Sequence, residues 1–456
     1  MTTPNFSRLP GFRDFPPEDF ALRQHLFEAW RRASRRYGFL EYDGPPLEPL
    51  DLYVEKSGEE IVGQLYNFVD KGGREITLRP EMTPTLARVL GERSRGMAKP
   101  IRWFTVPQLF RYERQQRGRL REHFQWNADI VGEDSVSADA DVVALAIDAL
   151  RELGLTEKDF RARVSDRRLL TAVLREGLGV AEGRLGAAFG VIDRFRKMPP
   201  AAVVEKLESE VGLAPGAAEE AAKLFASLDL DGVAERFGGN AAVTAAAAPL
   251  TEYVAILRDM GLGDYVEVDL TIVRGLAYYT GIVFELFDTA GELRAICGGG
   301  RYDRLLELVG GEPLPAVGFG MGDVVLGELL ADRGLVPPYR RAVDYFVVVI
   351  GEEQRAMAYR LAHGLRERGH RVVYALREQA VRKQFKAAET EGARAALVVG
   401  PEEAARDVVK LRDMKSGEER EVSVEELLAG TVGVPSADDT AGSGPGTASS
   451  AAGAAP

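Results

Sequence analysis

The sequence predicts an α+β core that contains a helical insertion and is followed by a separate α/β domain. Three observations support this prediction. Helical patterns and alternating strand patterns are mixed over residues 1–164 and 266–333. An alanine-rich helical pattern occupies about 165–265, and short apolar strands alternate with helices over 343–428. The length of 456 residues agrees with about three folding units of roughly 150 residues each.

The core is predicted to be an antiparallel sheet flanked by helices. Phe20–Tyr37 is an amphipathic helix, with apolar residues on one face and arginines on the opposite face. Ile101–Arg114 and Phe124–Val131 are predicted to be two strands that a charged loop joins into an antiparallel pair. Ala140–Leu153 carries a second apolar helical face. Antiparallel strands with flanking helices are typical of α+β proteins.

The predicted domain limits are 1–333 for the core, 340–430 for the α/β domain and 431–456 for a tail. Pro337-Pro338 marks the linker. In the α/β domain, strands that alternate with helices indicate a small, mostly parallel sheet, and a hairpin turns at Lys415–Glu418. The tail is almost entirely Ala, Gly, Ser, Pro and Thr. Such a segment has too little apolar area to become ordered, so we predict that it is disordered.

Charge and cysteine content exclude several classes of protein. The net charge of −12 argues against a protein that coats DNA through uniform positive charge, although a local basic face remains compatible with it. A single cysteine, Cys297, excludes an internal disulfide and a multi-cysteine zinc site. The four histidines lack the i, i+4 spacing of metal ligands, so no metal site is predicted from a protein motif. With no apolar run near ~18 residues, we expect a soluble, cytoplasmic protein without a membrane partner.

Three polar segments are candidates for a functional site. The first, Leu78–Thr85, follows a predicted strand at Glu75–Leu78 and places a carboxylate and hydroxyls at the end of that strand. The simpler explanation is a proline-rich turn that starts a helix at Thr83 and Pro84.

The second segment is rich in arginine. Between Phe110 and Phe124, arginines occupy positions 111, 114, 117, 119 and 121 of an acidic chain. Arginine binds phosphate through two parallel hydrogen bonds and keeps its charge, so this hairpin favours a polyphosphate or the end of a nucleic acid as its ligand. The alternative is a solvated loop in which arginines and glutamates pair with one another.

The third segment joins Thr271–Glu285 to Cys297–Asp303. Arg274 precedes two tyrosines, an arrangement in which the guanidinium binds an anion and the phenols recognise a polar ring. The glycines at 298–300 permit the close approach of a backbone or a ligand, although tight strand packing is the more common reason for such a run.

In this order and spacing, the three segments resemble those of histidyl-tRNA synthetases, which are class II aminoacyl-tRNA synthetases. The resemblance extends from about Gly11 to Leu428. Its histidine-specific part discriminates best, because motifs 1 to 3 are degenerate across the class. The matching segments are Tyr37–Pro45 for the dimer-forming motif 1, Phe110–Gln125 for motif 2, Ala316–Gly322 for the opening of motif 3, and Arg274–Gly281 with Gly299–Asp303 for the histidine signature.

The resemblance implies a histidine–tRNA ligase that uses ATP and Mg²⁺, with L-histidine and tRNA(His) as substrates, a homodimeric assembly and no DNA partner. It implies that Arg111 and Arg274 are the catalytic arginines, which hold the α-phosphate of ATP, and that Glu113 helps to seat the adenine end. The residues implied to bind histidine are Glu81, Thr83 and Gln125 around the α-amino group, and Asp129 and Tyr279 on the imidazole, with Tyr278 beside them.

The 340–430 domain resembles the anticodon-binding domain of the same synthetases. Its second helix carries Arg382, Lys383 and Lys386, a local basic face within an acidic chain. The resemblance implies that these three residues contact tRNA.

Three positions depart from the family pattern. Motif 3 normally ends in a Glu-Arg pair whose arginine contacts the γ-phosphate of ATP, and Val325 stands at the position of that arginine. Ala277 replaces an acidic residue of the histidine signature, and Asp129 replaces a glutamate. The candidates to supply the missing cation near the polyphosphate are Arg117, Arg119 and Arg301.

Two other functions compete with the ligase. A non-charging paralogue that senses histidine, such as the regulatory subunit of ATP phosphoribosyltransferase, is favoured by Val325 and Ala277. Glu81, Arg111 and Arg274 favour the ligase, as does the anticodon-type domain, which that paralogue usually lacks. A simple RNA-binding module is the third hypothesis, and it gives no reason for a histidine pocket.

Overall fold

The computed structural model describes residues 6–431 except 58, 115, 275–278, 309–310, 340 and 342. The chain divides into two compact units, Met1–Pro337 and Pro338–Pro456. From residue 432 onward, the predicted tail lies outside the described residues.

Strands and helices of the first unit follow one another in a mixed order. The strands are β1 (Leu40–Glu41), β2 (Leu47–Pro49), β3 (Asn67–Val69), β4 (Glu75–Leu78), β5 (Ile101–Thr105), β6 (Gln108–Phe110), β7 (Glu122–Val131), β8 (Phe160–Asp166), β9 (Val266–Val268), β10 (Ile282–Asp288), β11 (Cys297–Arg301) and β12 (Ala316–Gly322). The helices are α1 (Pro17–Arg36), α2 (Asp51–Ser57), α3 (Thr83–Arg93), α4 (Val136–Glu152), α5 (Arg167–Ala172), α6 (Leu185–Asp193), α7 (Pro200–Lys206), α8 (Pro215–Ser227), α9 (Leu230–Phe237), α10 (Ala241–Asp259), α11 (Leu305–Leu308) and α12 (Asp323–Asp332).

A large sheet with the order β1-β5-β7-β12-β11-β10-β8-β9 forms the centre of this unit, and β6 pairs with the start of β7. Its inner pairs are antiparallel, whereas the two edge pairs, β1 with β5 and β8 with β9, are parallel. A separate small sheet has the order β2-β4-β3. The prediction of an α+β core with an antiparallel sheet and flanking helices is therefore confirmed.

One predicted strand is divided in two. Ile101–Arg114 was expected to be continuous, but β5 ends at Thr105 and β6 covers only Gln108–Phe110. Pro107 lies at the break, where it has no backbone N–H to donate to the ladder and accepts a hydrogen bond from the Gln125 N–H at 3.1 Å.

α4 is buried on nearly all sides, not only on the predicted apolar face. It packs against the sheet at β12 and β7 and against α1 and α10. Its buried residues therefore include Ala144 and Leu145 in addition to Val143, Ile147 and Leu150 of the predicted face. Burying a Leu or Ile side chain contributes about 1.5–3 kcal/mol, so α4 is a main source of stability for this unit.

The helical insertion leaves and re-enters the sheet at neighbouring strands. β8 ends at Asp166, whose side chain accepts hydrogen bonds from the backbone N–H groups of Arg168 and Leu169 and so caps α5. The chain returns as β9, which pairs in parallel with β8 through Ala162 and Val266. Helices α5 to α10 are therefore one long crossover, and their apolar side chains share the core of the sheet.

The second unit is a small mixed sheet with helices. Three of its strands are parallel: β13 (Tyr345–Val349), β14 (Val372–Tyr374) and β15 (Ala395–Val399). Two more, β16 (Val408–Asp413) and β17 (Glu419–Ser423), form an antiparallel hairpin at one edge, and the strand order is β14-β13-β15-β16-β17. The predicted helical face of Ala358, Leu361, Ala362 and Leu365 is buried. The elements are β13 (Tyr345–Val349), α13 (Arg355–Glu367), β14 (Val372–Tyr374), α14 (Val381–Thr390), β15 (Ala395–Val399), α15 (Pro401–Ala405), β16 (Val408–Asp413), β17 (Glu419–Ser423) and α16 (Val424–Ala429).

Candidate active site

A cavity of about 980 Å³ lies in the first unit, on the large sheet. It is lined by side chains from segments that are far apart in the sequence but meet at β7, β10, β11 and β12. Tyr278 lies outside the described residues. The predicted site residues that line the cavity are Glu81, Thr83, Arg111, Glu113, Gln125, Asp129, Arg274 and Tyr279.

Glycines on β12 make room for the side chains of β7. Gly318 is the register partner of Asp129, and a Cβ atom on Gly318 would lie 2.0 Å from an Asp129 carboxylate oxygen. A Cβ on Gly320 would lie 2.7 Å from Cδ of Gln125. Since β7 residues four positions apart point to the same face, Gln125 and Asp129 both project into the space above these glycines. The glycines therefore shape the floor of the cavity.

Asp129 is a buried carboxylic acid, with only 5% of its surface exposed. Burial raises its pKa to about 7, and a hydrogen bond from the Tyr302 hydroxyl lowers it in part. Near neutral pH, Asp129 therefore exchanges between an acceptor-only carboxylate and a form that also donates. Tyr302 lies in the glycine-rich segment Cys297–Asp303, and no sequence pattern identifies it as the partner of Asp129.

Arg274 adopts a strained backbone conformation, with φ of 61°, which is uncommon for a residue other than glycine. Its Nη1 donates to Glu285 Oε1 at 2.5 Å, and its guanidinium carbon lies 5.7 Å from the centre of the Tyr279 ring. A Cβ on Gly298 would lie 2.0 Å from Nη1, so this glycine gives the guanidinium its space. The strain, the ion pair and the glycine together fix Arg274 over β11.

Arg111 connects the arginine-rich hairpin to the end of β4. Its Nε donates to the Pro80 carbonyl oxygen at 3.0 Å, and its backbone N–H donates to the Arg121 carbonyl oxygen at 2.9 Å. His123 also lines the cavity, and burial together with the nearby Arg111 and Arg13 lowers its pKa to about 3. The imidazole is therefore neutral at physiological pH, and the positive charge at this end of the cavity belongs to arginines.

The five hairpin arginines have different surroundings. Arg119 lines the cavity and forms an ion pair with Glu113. Arg117 instead pairs with Glu328 and Asp332 on α12, both at 3.5 Å. The predicted Arg–Glu pairing therefore occurs in this hairpin, and Arg111 and Arg119 of the same hairpin also line the cavity.

Glu81 lies between β4 and α3, and Thr83 is the first residue of α3. The helix begins at Thr83 with Pro84 in its first turn and without a side-chain cap, and Tyr53 donates to the Glu81 carbonyl oxygen at 3.4 Å. The turn-and-helix explanation thus accounts for the backbone, while both side chains line the cavity.

The proposed replacements for the missing cation do not all reach the cavity. Arg301 is only 3% exposed and pairs with Asp139 of α4 at 2.8 Å, which excludes it as a cation for a ligand in the cavity. Val325 lines the cavity, as does Arg294, which sequence reasoning missed. Arg294 follows β10 in a stretch without a family motif, so no local signal identified it.

On the second unit, Arg382, Lys383 and Lys386 are exposed on α14, on the face opposite the buried Gln384 and Ala388. Gln384 fixes the helix against β13 through hydrogen bonds with the N–H and carbonyl groups of Val349 at 2.9 and 2.8 Å. The three cations therefore form an accessible basic face on a rigid helix.

Within the described residues, no three His, Cys, Asp or Glu side chains converge in a manner that could hold a metal ion. Among the helices of that same part of the chain, none has the length and apolar character needed to cross a membrane.

Comparisons with known proteins identify related chains. Residues 11–322 match the family model for histidyl-tRNA synthetase, and residues 344–431 match the model for an anticodon binding domain. A histidine–tRNA ligase of Opitutus terrae is 44% identical over 93% of this chain and 97% of its own length. A chloroplastic/mitochondrial histidine–tRNA ligase of Arabidopsis thaliana is 39% identical over 91% and 85%. The crystal structure of histidyl-tRNA synthetase from Nostoc sp. PCC 7120 superposes with a TM-score of 0.79 at 26% identity, covering 93% and 99% of the two chains.

Proposed function

The chain belongs to the histidyl-tRNA synthetase family, and we propose that it acts as a histidine–tRNA ligase whose active site is the cavity of the first unit. The enzyme activates L-histidine with ATP to form histidyl-adenylate and pyrophosphate, and then transfers histidine to the 3′ end of tRNA(His). One observation carries the assignment of the site: two fixed arginines, Arg111 and Arg274, share a cavity with the buried carboxyl group of Asp129.

In the activation step, a carboxylate oxygen of histidine attacks the α-phosphorus of ATP. A new oxygen–phosphorus bond forms, the bond from that phosphorus to the bridging oxygen breaks, and pyrophosphate leaves with the electron pair. This in-line displacement needs positioning and positive charge more than covalent help from the protein. Arg111 and Arg274 supply that charge, and their bonds to Pro80 and Glu285 hold them in place before the substrates arrive.

Different groups recognise the side chain and the α-amino group of histidine. Asp129 accepts a hydrogen bond from one imidazole nitrogen, and Tyr279 donates one to the other. Glu81 and Gln125 hold the α-amino group. Asp129 is buried and its hydrogen bond from Tyr302 occupies one carboxylate oxygen, so an amino acid without ring nitrogens would leave the rest of this carboxyl group unpaired. Buried polar groups left without a partner reject such analogues strongly.

The use of ATP follows from the family. We propose that Mg²⁺ enters with ATP, because Mg²⁺ in nucleotide sites takes most of its ligands from phosphates and water. The described residues offer no cluster of three ligands for an ion of the protein's own, so no step is assigned to a protein-bound metal. When bound, the ion neutralises phosphate charge.

The second unit is proposed to bind the anticodon region of tRNA through α14. Its exposed cations, Arg382, Lys383 and Lys386, suit phosphate contacts, which position an RNA without reading its sequence. The match of residues 344–431 to an anticodon binding domain supports this assignment.

A homodimer is proposed through the Tyr37–Pro45 segment. β1 is an edge strand of the large sheet, and Leu40 within it is 67% exposed. Exposed apolar side chains at a sheet edge are suited to an interface. Light scattering should give the mass of two chains, and the mass of a single chain would contradict the proposal.

The non-charging histidine sensor is less supported. The relatives from Opitutus terrae and Arabidopsis thaliana, which match more than nine-tenths of this chain, are histidine–tRNA ligases, and an anticodon-type domain is present. Such a domain has a purpose in an enzyme that selects tRNA and none in a histidine sensor.

Histidine-dependent ATP–pyrophosphate exchange, followed by charging of tRNA, tests the proposed function. We expect both reactions in the unmodified protein. Arg274→Ala should abolish adenylate formation while the folded dimer persists, because the lost guanidinium is part of the site and not of the core. Histidine binding with exchange at the background level would contradict the ligase, and unchanged exchange in Arg274→Ala would contradict the role of this arginine.

A further inference from the structure

The proposed reaction needs a cation near the leaving phosphates, and the motif 3 position that would supply it carries no charge. Val325, in the first turn of α12, lines the cavity with an apolar side chain. Pyrophosphate carries several negative charges as it leaves, and a site built for adenylate formation must stabilise them. The following inference rests on the proposed function of this cavity.

Arg294 reaches the same place from another segment. It lies between β10 and β11 and lines the cavity. A Cβ atom on Gly118 would lie 3.2 Å from Cγ2 of Val325 and 3.7 Å from Cδ of Arg294. Val325 and the side chain of Arg294 therefore both pack against Gly118, at the tip of the arginine-rich hairpin.

Arg294 also differs from the neighbouring arginines in its partners. In the described part of the chain, it makes no ion pair or side-chain hydrogen bond. Arg111 donates to a backbone carbonyl, and the other arginines of the cavity are paired with carboxylates. The pairs are Arg119 with Glu113, Arg163 with Glu267, Arg196 with Asp269 and Arg274 with Glu285.

The charge of Arg294 acts on its neighbours. Burial, the charge of Arg294 and the charge of Arg111 each lower the pKa of Arg119, in that order of size. Guanidinium groups that repel one another in an open cavity form a site for an anion of high charge.

We propose that Arg294 binds the β- and γ-phosphates of ATP and takes the task of the motif 3 arginine that Val325 replaces. During activation, it faces the oxygens that gain charge as the bond between the α-phosphorus and the bridging oxygen breaks. It remains on pyrophosphate until this product leaves. Arg111 and Arg274 stay on the α-phosphate, so the two groups of cations divide the triphosphate between them.

The test substitutes Arg294→Ala and Arg294→Lys. In pyrophosphate exchange, we expect Arg294→Ala to lower kcat/KM for ATP by about 10- to 100-fold, the usual cost of a lost charged hydrogen bond. The KM for histidine should stay within about twofold. Arg294→Lys should retain part of the activity, because it keeps the charge and loses the bidentate geometry.

Two binding measurements separate the phosphates. Inorganic pyrophosphate should bind Arg294→Ala at least tenfold more weakly than it binds the unmodified protein. A non-hydrolysable histidyl-sulfamoyl-adenosine, which has no β- or γ-phosphate, should bind both proteins equally. Arg117→Ala is the matched control, since it removes the same charge from the neighbouring hairpin, outside the cavity, and should change neither affinity.

The outcomes distinguish this inference from the proposed function. Normal ATP kinetics and normal pyrophosphate binding in Arg294→Ala would overturn the role of Arg294 while the ligase stands. An equal loss of affinity for the adenylate analogue would also overturn it, because the effect would then not belong to the leaving phosphates. No exchange in the unmodified protein would contradict the ligase, and a loss of pyrophosphate binding in Arg294→Ala would still support the phosphate site.

Discussion

Asp129→Asn should stabilise the first unit at alkaline pH while it destroys histidine recognition. The side chain of Asp129 is buried and has a pKa of about 7, against 3.8 in an unfolded chain. Between these values the folded protein holds a proton that the unfolded chain releases. The free energy of unfolding that comes from this proton is therefore largest below about pH 4. It falls as the pH rises and is lost above pH 7.

The size of this effect follows from the difference between the two pKa values. About three units correspond to about 4 kcal/mol of unfolding free energy between pH 4 and pH 8, as an upper estimate. Asparagine has nearly the same shape, carries no charge and keeps an acceptor for the Tyr302 hydroxyl. The variant should thus avoid this loss, and its advantage over the unmodified protein should grow with pH.

Urea unfolding, monitored by tryptophan fluorescence, measures the stability of the first unit. All three tryptophans, Trp30, Trp103 and Trp126, belong to the first unit, and Trp126 is buried on β7 near Asp129. We expect similar midpoints for the two proteins at pH 4 and a higher midpoint for Asp129→Asn at pH 8. The exposed Asp134→Asn is the control for removal of a charge and should show no such divergence.

Activity should move in the opposite direction. In the unmodified protein, kcat/KM for histidine should rise through about pH 7, as Asp129 becomes a carboxylate that accepts from the imidazole. Asp129→Asn should lose this rise and most of its activity. Equal pH dependence of stability in both proteins would refute the buried-carboxyl explanation, whatever the activity shows.

Two further predictions concern the floor of the cavity and the second unit. Gly318→Ala places a Cβ 2.0 Å from the Asp129 carboxylate, so this carboxylate must move. We expect the KM for histidine to rise at least tenfold with little change in the KM for ATP. Equal changes in both KM values would show a general distortion of the site. Replacing Arg382, Lys383 and Lys386 together with alanine should raise the KM for tRNA and leave pyrophosphate exchange unchanged, and a fall in exchange would show that the two units do not divide the work as proposed.

The fold was predictable where local patterns decide it. The helical face of Ala358, Leu361, Ala362 and Leu365 is buried as its period predicts, because packing in a small α/β unit follows the sequence period. The prediction of a single strand over Ile101–Arg114 was wrong, because the strand breaks at Pro107. A proline has no N–H to donate to the ladder, so its presence in the sequence was a signal for this break. The burial of α4 on all sides was not visible there, because its neighbours α1 and α10 come from distant segments.

The site was predictable as a set of residue types and much less so as a set of contacts. Motif positions identified the arginines, but their partners are distant in sequence and decide what each arginine does. Arg301 was a candidate phosphate ligand until Asp139, 162 residues away, proved to hold it in the core. Glu285 is the last residue of the segment Thr271–Glu285, and no sequence pattern indicated that it fixes Arg274.

The cation that a polyphosphate needs belongs to a cavity and not to one position in a motif. Val325 stands where motif 3 normally has an arginine. Motif 3 considered alone therefore predicts weak ATP binding. Arg294 packs against Gly118 beside Val325, so a guanidinium is present at the same wall of the cavity. The polyphosphate requires a positive charge at a particular place in the cavity, near Gly118. An arginine from any segment that reaches Gly118 can supply that charge. The pyrophosphate affinity of Arg294→Ala is therefore a more direct measure of this site than the identity of residue 325.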